Sequence, residues 1–160
     1  MYNTIMLKNK ILSFILFAIT TFSASFIGGI TTLNFKEPWY STLSKPFYNP
    51  PDWIFAPVWT TLYLFMTIAI WLVWIKNTKN IGIVFLYFIH LFFNTTWSIT
   101  FFGLQNIFLA LVNLIILIFL IVLLIIKYKD RSRTSAYLMT PYLLWCCFAL
   151  ILNINILILN

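Results

Sequence analysis

Long apolar stretches follow one another along this chain, and short polar segments separate them. A helix needs roughly 20 apolar residues to cross the hydrocarbon core of a bilayer. Five stretches reach that length, over residues 10–30, 54–75, 81–102, 107–126 and 136–159. The pattern therefore predicts an all-α integral membrane protein, a bundle of five transmembrane helices that forms one domain over residues 1–160.

The links after the second, third and fourth spans are short and polar, at residues 76–80, 103–106 and 127–133. Links of this length make consecutive helices antiparallel neighbours. Two prolines lie inside predicted spans. Pro57 falls in the first turn of the second span, where a missing N–H costs little, whereas Pro141 lies deeper in the fifth and either bends that helix or marks a later start.

The segment between the first and second spans, residues 38–59, is dense in prolines and aromatic rings. Each proline fixes φ, and each ring brings a large rigid surface at little entropic cost. Such a connector is too stiff to be a simple tether. It predicts a structured, aromatic and proline-rich loop that covers a site at this end of the bundle.

Composition agrees with a membrane protein, since 62% of the residues are hydrophobic and 8% are charged, with a mean hydropathy of +0.98. Such a chain could not cover a water-soluble globule with polar surface. The net charge of +7 would suggest nucleic acid as the partner of a soluble protein. Here the expected partner is the lipid bilayer, and no nucleic acid is expected, because the basic residues follow an orientation pattern.

The basic residues are concentrated on one side of the predicted bundle. With five spans, the N-terminus shares a side with the second and fourth links, and the opposite side carries only Lys36 and Lys45. Because an excess of basic residues marks the cytoplasmic side, we predict a cytoplasmic N-terminus, with the aromatic loop and the C-terminus outside. For a bacterium this means the inner membrane. The cytoplasmic residues are Lys8, Lys10, Lys76, Lys79, Lys127, Lys129, Arg131 and Arg133.

The first span has a second interpretation. Lys8 and Lys10, the apolar run 11–22 and the small residues 23–25 imitate a secretory signal peptide. The apolar character continues as far as Ile30, which gives a length closer to that of a full span. The length favours a transmembrane helix.

Conventional catalytic groups are absent from the sequence pattern. The three acidic residues, Glu37, Asp52 and Asp130, all fall in predicted loops, which argues against ion-coupled transport. There is no carboxylate pair, Ser/His/Asp set, metal-spaced Cys/His cluster or phosphate-binding glycine loop. Cys146 and Cys147 are adjacent on a helix and point about 100° apart, so they predict neither a mutual disulfide nor a metal site. We expect no metal and no required cofactor.

Polar and aromatic residues inside three spans recur at helical spacing, and each set would be costly to expose to lipid. Three such faces could enclose one pocket with apolar walls and a few donors, suited to a large planar ligand or a sterol. The faces are His90, Asn94, Trp97 and Phe101 in the third span, Tyr142, Trp145, Ala149 and Asn153 in the fifth, and Trp59, Tyr63, Met66 and Ile70 in the second.

Each of these residues also has a simpler explanation. Polar residues such as Asn94, Asn113 and Asn153 often only join helices by hydrogen bonds. His90 could be an axial haem ligand, but a lone histidine beside an asparagine is more often a hydrogen-bonded interior group. Four tryptophans have the positions of interfacial anchors: Trp39, Trp53, Trp71 and Trp74. It is the joint occurrence of the three faces that favours a pocket.

Five ordered motifs resemble the TspO/MBR family, the tryptophan-rich sensory proteins of bacteria and the mitochondrial translocator protein or peripheral benzodiazepine receptor. The likeness runs from the first helix to Asn153. The motifs are Trp39-Tyr40-x-x-Leu43-x-Lys45-Pro46, Pro50-Pro51, Pro57-Val58-Trp59-x-x-Leu62-Tyr63, Asn94-x-x-Trp97-Ser98-x-x-Phe101-Phe102-Gly103, and Pro141-Tyr142-Leu143-x-Trp145-x-x-Phe148-Ala149-x-x-Leu152-Asn153.

The resemblance implies a five-helix bundle, commonly a homodimer, with a ligand pocket under the loop between the first two helices. It implies that porphyrins such as protoporphyrin IX and haem, or another planar hydrophobic small molecule, are the ligands. It also implies light-dependent porphyrin degradation in some members, with Trp59 and Trp145 as the residues concerned. The ligand-binding residues that it implies are Trp39, Tyr40, Trp59, Tyr63, Asn94, Trp97, Trp145, Ala149 and Asn153, to which the helical faces add His90 and Tyr142.

Two departures from the family pattern limit what can be carried over. The sterol motif of the animal proteins needs a terminal Lys or Arg on the fifth helix, but residues 154–160 contain neither. A formal match, Leu124 through Tyr128 to Arg131, follows the fourth span, and such patterns are weak evidence. Sterol binding is therefore not expected. The second departure is His90, where many relatives are expected to carry glutamine.

Four functions follow as hypotheses. The first is a membrane sensory or regulatory protein that binds a tetrapyrrole, with Lys36 and Lys45 as the cations near the loop for its propionates. The second is an enzyme that photo-oxidises porphyrin, because indole can donate an electron to an excited porphyrin. The third is a facilitated transporter of porphyrin or another small molecule. The fourth is a structural partner of another membrane protein.

Overall fold

The structure is a computed structural model, and it describes residues 2–76 and 81–160. Five long helices confirm the predicted transmembrane bundle, and each is long and apolar enough to cross a membrane. A sixth, short helix lies in the loop after the first. In chain order the helices are α1 (Tyr2–Phe35), α2 (Trp39–Thr42), α3 (Phe55–Lys76), α4 (Ile81–Ser98), α5 (Ile107–Lys129) and α6 (Arg133–Leu159).

The five long helices form a closed ring in the order α1, α3, α6, α5, α4. The link at residues 77–80 lies outside the described residues. Its shortness predicted that the helices it joins would be neighbours, yet α3 and α4 meet at few residues. α3 packs against α1 and α6, and α4 packs against α1 and α5. A short link fixes only the separation of two helix ends, so it leaves room for a third helix to lie between the bodies.

Two helix ends differ from the prediction. α4 ends in a π turn, Ile99–Gly103, in which the Leu104 amide donates to the Ile99 carbonyl over 2.8 Å. α6 begins at Arg133, where the Ser132 hydroxyl accepts from the Ser135 amide. Pro141 therefore lies inside a continuous helix, so the alternative of a later helix start is wrong.

The interior of the bundle is divided into a solid half and a hollow half. The solid half lies toward the C-terminal end of α3 and of α5, where large side chains pack with no exposed surface, among them Ile70, Val73, Tyr87, Ile121 and Leu124. The hollow half lies at the opposite end, under the aromatic loop, which spans residues 36–54 in the structure. Large apolar side chains face outward along the long helices, as a lipid-facing surface requires.

Candidate ligand-binding chamber

A cavity of about 690 Å³ lies inside the hollow half of the ring, and we call it the chamber. α1, α3, α4 and α6 supply its walls, α5 adds two leucines, and the aromatic loop closes its outer end. Tryptophan and tyrosine rings form flat parts of the wall, at Trp59, Tyr63, Trp97 and Trp145. The chamber is thus a mostly apolar space with planar surfaces and a small number of polar groups.

The aromatic loop is held over the chamber by ring contacts. Tyr40 is 8% exposed and packs edge-on against Phe101 and Phe102, with ring centroids 6.2 and 5.7 Å apart. Trp39 packs against Phe101 at 5.4 Å, and Trp97 stacks on the other side of that ring at 5.2 Å. These rings form a cluster of their own between the loop and α4.

The π turn at the end of α4 makes this cluster possible. Phe101 and Phe102 are consecutive, and on a regular α-helix their side chains would point about 100° apart. In the wider turn both are buried and both contact Tyr40. Gly103 closes the turn against α1, because a Cβ there would lie 3.3 Å from the Thr31 methyl group.

Polar contacts join the two ends of the loop to each other and tie its middle to α6. Lys36 Nζ pairs with the Asp52 carboxylate at 2.5 Å, which joins the end of α1 to the start of α3. In the middle of the loop, the Ser44 amide donates to Asn160 Oδ1 over 2.9 Å, and Asn160 Nδ2 donates back to the Ser44 carbonyl over 3.1 Å. Two reciprocal hydrogen bonds therefore tie the loop to the end of α6.

Two lysines lie over the Tyr40 ring at the mouth of the chamber. Lys45 Nζ is 4.4 Å and Lys36 Nζ 5.2 Å from the ring centroid, which are cation–π distances. Burial raises the pKa of the Tyr40 hydroxyl above its usual value, and the nearby Asp52 and Glu37 charges add to the rise. The neutral phenol donates to Asn49 Oδ1 over 3.2 Å. Lys36 is paired with Asp52, but Lys45 has no carboxylate partner within the described residues.

A chain of hydrogen bonds runs through the wall at the inner end of the chamber. The Tyr63 hydroxyl donates to Asn94 Oδ1 over 2.5 Å, and Asn94 Nδ2 donates to the Tyr142 hydroxyl over 2.8 Å. The Tyr142 hydroxyl lies 3.1 Å from His90 Nε2, and His90 Nδ1 lies 3.2 Å from the Tyr87 carbonyl. The chain joins α3, α6 and α4 behind the chamber surface.

Two chamber side chains keep polar atoms without a partner among the described residues. The Trp97 Nε1 donor and both amide atoms of Asn153 are buried and make no hydrogen bond there. Asn153 is 1% exposed. Buried polar groups without partners are rare in folded proteins and costly. Both residues line the chamber, so their unpaired atoms are buried in or next to its wall.

Eight of the predicted ligand-binding residues line the chamber, and three do not. Trp39 packs against Phe101 in the loop cluster. His90 and Tyr142 are fully buried behind the wall, in contact with each other. Met66 and Ile70, also from the predicted faces, belong to the solid half. The eight are Tyr40, Trp59, Tyr63, Asn94, Trp97, Trp145, Ala149 and Asn153.

The α1 wall of the chamber was missed by the sequence analysis. Ser25, Gly28, Gly29 and Thr32 all line the chamber from this helix. They recur at i, i+3, i+4 and i+7, so they share one helix face. This face of small and polar residues was the signal that could have predicted the wall.

Residues 14–159 match the family model described as the TspO/MBR family. The chain is similar to the tryptophan-rich protein TspO of Chlorobaculum tepidum, with 41% identity over 142 residues, 86% of this chain and 89% of the relative. It is similar to the tryptophan-rich protein TspO of Archaeoglobus fulgidus, with 36% identity over 152 residues, 94% of this chain and 99% of the relative.

The chain is also similar to the human translocator protein, with 34% identity over 119 residues, 72% of this chain and 70% of the relative. Bacterial, archaeal and animal proteins therefore share this sequence pattern. The matched region includes every element that lines the chamber.

Proposed function

The chain belongs to the TspO/MBR family, and from that premise we propose that it is a membrane sensory or regulatory protein that binds a tetrapyrrole in its chamber. Protoporphyrin IX or haem is the proposed ligand. The observation that carries the proposal is a loop-covered apolar chamber lined by Trp97 and Asn153, whose buried polar atoms have no partner in the part of the chain that the structure describes. Its volume of about 690 Å³ lies within the range of small-molecule sites, roughly 300–1,000 Å³.

The chamber walls favour a planar ligand. The Trp59 ring packs against Tyr63 and Tyr142 with centroids 5.6 and 6.1 Å apart, and Trp145 packs against Phe55 at 6.0 Å. Rings held by other rings lose little freedom when a ligand stacks on them, so less ordering entropy is spent on binding. A flat aromatic macrocycle matches such surfaces better than a flexible chain does.

A titration with protoporphyrin IX tests this proposal. With the native protein in nanodiscs, added porphyrin should quench the tryptophan fluorescence, and the porphyrin Soret band should shift. Both signals should saturate as the porphyrin concentration rises. Trp59→Phe, Trp145→Phe and Asn94→Leu should each weaken binding. Trp71→Phe is the matched control, because its indole N–H donates to the Lys10 carbonyl, away from the chamber. Native-like affinity in all three chamber variants would contradict the site.

Lys45 gives the proposal a charge test. Its ammonium group lies over the ring of Tyr40, a chamber-lining residue, and has no carboxylate partner among the described residues, whereas Lys36 is already paired. We expect Lys45→Gln to weaken protoporphyrin IX binding roughly two- to fivefold, the effect of one partly exposed charge pair. The dimethyl ester of the same porphyrin, which has no propionate charge, should bind both forms alike. An equal loss for acid and ester would contradict a propionate contact.

A light-dependent enzyme is the second candidate function, favoured by the presence of both Trp59 and Trp145 in the chamber wall. An indole beside an excited porphyrin can donate an electron, and dioxygen would be the oxidant. Illumination of the complex in air distinguishes the two functions. A binding protein leaves the Soret band intact, whereas an enzyme consumes it with repeated turnover that Trp59→Phe and Trp145→Phe abolish.

Facilitated transport has less support. Beyond the chamber the solid half is close-packed, with Met66, Ile70 and Tyr87 fully buried. A porphyrin could cross only if that packing separated. Proteoliposome flux that depends on Trp145 would favour transport over sensing.

The proposal also includes an orientation and an assembly. The basic residues favour a cytoplasmic N-terminus in a bacterial inner membrane, with the aromatic loop outside. A homodimer is expected from the resemblance to the family. Chemical cross-linking in native membranes would test the dimer.

A further inference from the structure

His90 is fully buried and does not line the chamber, yet it ends a hydrogen-bond chain that reaches the chamber wall. We propose that His90 is a positioning residue that sets, through Tyr142, which hydrogen-bonding groups Asn94 and Tyr63 present to a ligand. The inference rests on the proposed function, since it concerns the specificity of the same chamber. It can be tested apart from any ligand.

All hydrogen bonds in this series donate in one direction, which the Tyr87 carbonyl fixes. A carbonyl oxygen can only accept, so His90 Nδ1, 3.2 Å away, must carry the proton. A neutral imidazole carries one proton, which leaves Nε2 as an acceptor. The hydroxyl of Tyr142, 3.1 Å from Nε2, therefore donates to it.

This assignment orients the next two residues. Because the Tyr142 proton is used on His90, its oxygen accepts from Asn94 Nδ2 over 2.8 Å. The amide of Asn94 is then fixed with Oδ1 toward Tyr63, whose hydroxyl donates to it over 2.5 Å.

The result is a defined polarity at the chamber surface. Tyr63 and Asn94 both line the chamber. The single Tyr63 proton is used inside the wall, so toward a ligand the phenol oxygen can only accept. Asn94 keeps its second N–H as a donor. A ligand that offers one acceptor and one donor at this point matches the wall.

The opposite histidine tautomer would reverse every bond. A proton on Nε2 would be donated to Tyr142, which would then donate to Asn94. The amide would turn over, and the Tyr63 hydroxyl would be released to donate into the chamber. Ring contacts hold His90 in place, with centroids 5.5 Å from Tyr87 and 5.4 Å from Tyr142. With His90 and Tyr142 fully buried, water cannot replace a lost partner.

Nuclear magnetic resonance tests the direction of the chain. The chain contains one histidine, so ¹⁵N-histidine labelling of the native protein in nanodiscs, purified without a histidine tag, gives one imidazole signal pair. We expect a protonated Nδ1 and a bare Nε2 that accepts a hydrogen bond. Tyr142→Phe should shift the Nε2 resonance and leave Nδ1 protonated. A proton on Nε2 in the native protein would overturn the proposal.

A double-mutant cycle tests the transmission to the chamber. His90→Leu and Tyr142→Phe should each weaken protoporphyrin IX binding roughly three- to tenfold, the effect of one disrupted buried hydrogen bond. The double variant should lose no more than the worse single variant, because both break one chain. Additive losses would overturn the proposal.

Three further measurements keep the test decisive. Thr67→Val removes a buried hydroxyl that donates to the Tyr63 backbone carbonyl within α3, and it should bind like the native protein. Glutamine has both an acceptor and a donor, so His90→Gln should retain most of the affinity that His90→Leu loses. His90→Gln also replaces His90→Leu in these measurements if His90→Leu does not fold. If native protein binds no protoporphyrin IX, the proposed function fails. The side-chain amide resonances of Asn94 then test whether His90 acts through Tyr142. A shift of these resonances in His90→Gln supports the proposal, and no shift overturns it.

Discussion

At the residue scale, the amide of Asn153 is the clearest sign of a missing partner. Its donor and its acceptor are both buried and unpaired within the described part of the chain. A buried polar group without a hydrogen bond costs about 1–3 kcal/mol. Asn113 Oδ1, outside the chamber, is also unpaired within the residues that the structure describes, so it is the place of Asn153 in the chamber lining that makes its amide a candidate ligand contact.

Asn153→Leu should therefore separate stability from binding. Removing an unpaired amide in favour of an apolar side chain of similar size should leave the melting temperature of the ligand-free protein unchanged or raise it. Binding of protoporphyrin IX should weaken roughly three- to tenfold, because one ligand hydrogen bond is lost. Thermal unfolding in detergent and a fluorescence titration measure the two effects.

Asn113→Leu is the matched control. Asn113 is also a buried asparagine, but it lies outside the chamber and its Nδ2 donates to the Thr96 hydroxyl over 2.7 Å. Its loss should lower the melting temperature and leave porphyrin affinity unchanged. A fall in stability for Asn153→Leu that matches the fall for Asn113→Leu would indicate a purely structural amide.

The ionisation of Tyr40 determines how the loop at the end of the chamber responds to high pH. Burial raises the pKa of its hydroxyl above the usual value of 10, so the folded protein holds this proton more tightly than the unfolded chain does. The stabilisation is complete below pH 10 and is lost as the pH rises from there through the folded pKa. Porphyrin affinity should thus be independent of Tyr40 ionisation between pH 6 and 9.

The phenolate absorbance of the native protein, compared with that of Tyr40→Phe, measures this ionisation. Tyr137→Phe, which removes a tyrosine on the exposed face of α6, is the control for the difference spectrum. Ionisation of Tyr40 below pH 9 would contradict its burial in the loop cluster.

Helical spacing in the sequence identified the residues that share a helix face, but it did not show how far each residue lies from the chamber. Asn94 and His90 lie one turn apart on α4, and the same spacing placed both in the pocket. In the structure Asn94 reaches the chamber, whereas His90 points to Tyr142 at the boundary of the solid half. Depth depends on which helices face the residue, and one helix carries no information about that.

At the scale of elements, the apolar runs were sufficient to predict the five long helices. The membrane imposes length and hydrophobicity on each span separately, so no knowledge of neighbours was needed. The π turn at Ile99–Gly103 is different, because its stability depends on Tyr40 and Thr31 from other segments. The short helix Trp39–Thr42 likewise depends on ring contacts with α4.

The seam between α1 and α4 offers a test at this scale. A Cβ on Gly28 would lie 3.2 Å from the Ser98 hydroxyl oxygen, so the two helices approach closely there. Gly28→Leu should force the helices apart at the chamber wall and cost about 1–3 kcal/mol. A gain of about 1 kcal/mol in helix propensity offsets part of that cost. We expect a lower melting temperature and weaker porphyrin binding.

Gly82→Leu controls for the propensity term. Gly82 lies in the first turn of α4, and no atom of the described residues lies within 4 Å of a Cβ placed there. This variant should be at least as stable as the native protein, because it has the propensity gain without the steric cost, and it should bind porphyrin normally. Equal behaviour of the two leucine variants would show that the seam tolerates a side chain at residue 28.

At the scale of the whole molecule, the hollow half and the solid half lie at opposite ends of one ring. The chamber lies at the end of the bundle that carries the aromatic loop, and the sequence places Lys36 and Lys45 there, against eight basic residues on the other side. A ligand should therefore enter from the non-cytoplasmic side.

Reporter fusions test that orientation. Alkaline phosphatase fused after residue 160 should be active in a bacterial host, because this enzyme folds only outside the cytoplasm, and green fluorescent protein fused at the same position should be dark. Fusions after residue 129, in the fourth link, should give the reverse pattern. An active phosphatase at residue 129 would invert the proposed topology.

The reciprocal bonds between Ser44 and Asn160 set an order of events during biosynthesis. The two residues are separated by 116 positions, so the ribosome completes the anchor long after the segment that it fastens. Until then the entrance has only its ring contacts and its nearer ion pair to hold it. The insertion of α6 therefore completes the chamber wall and the last anchor of the loop in one step, after the other four long helices have been made.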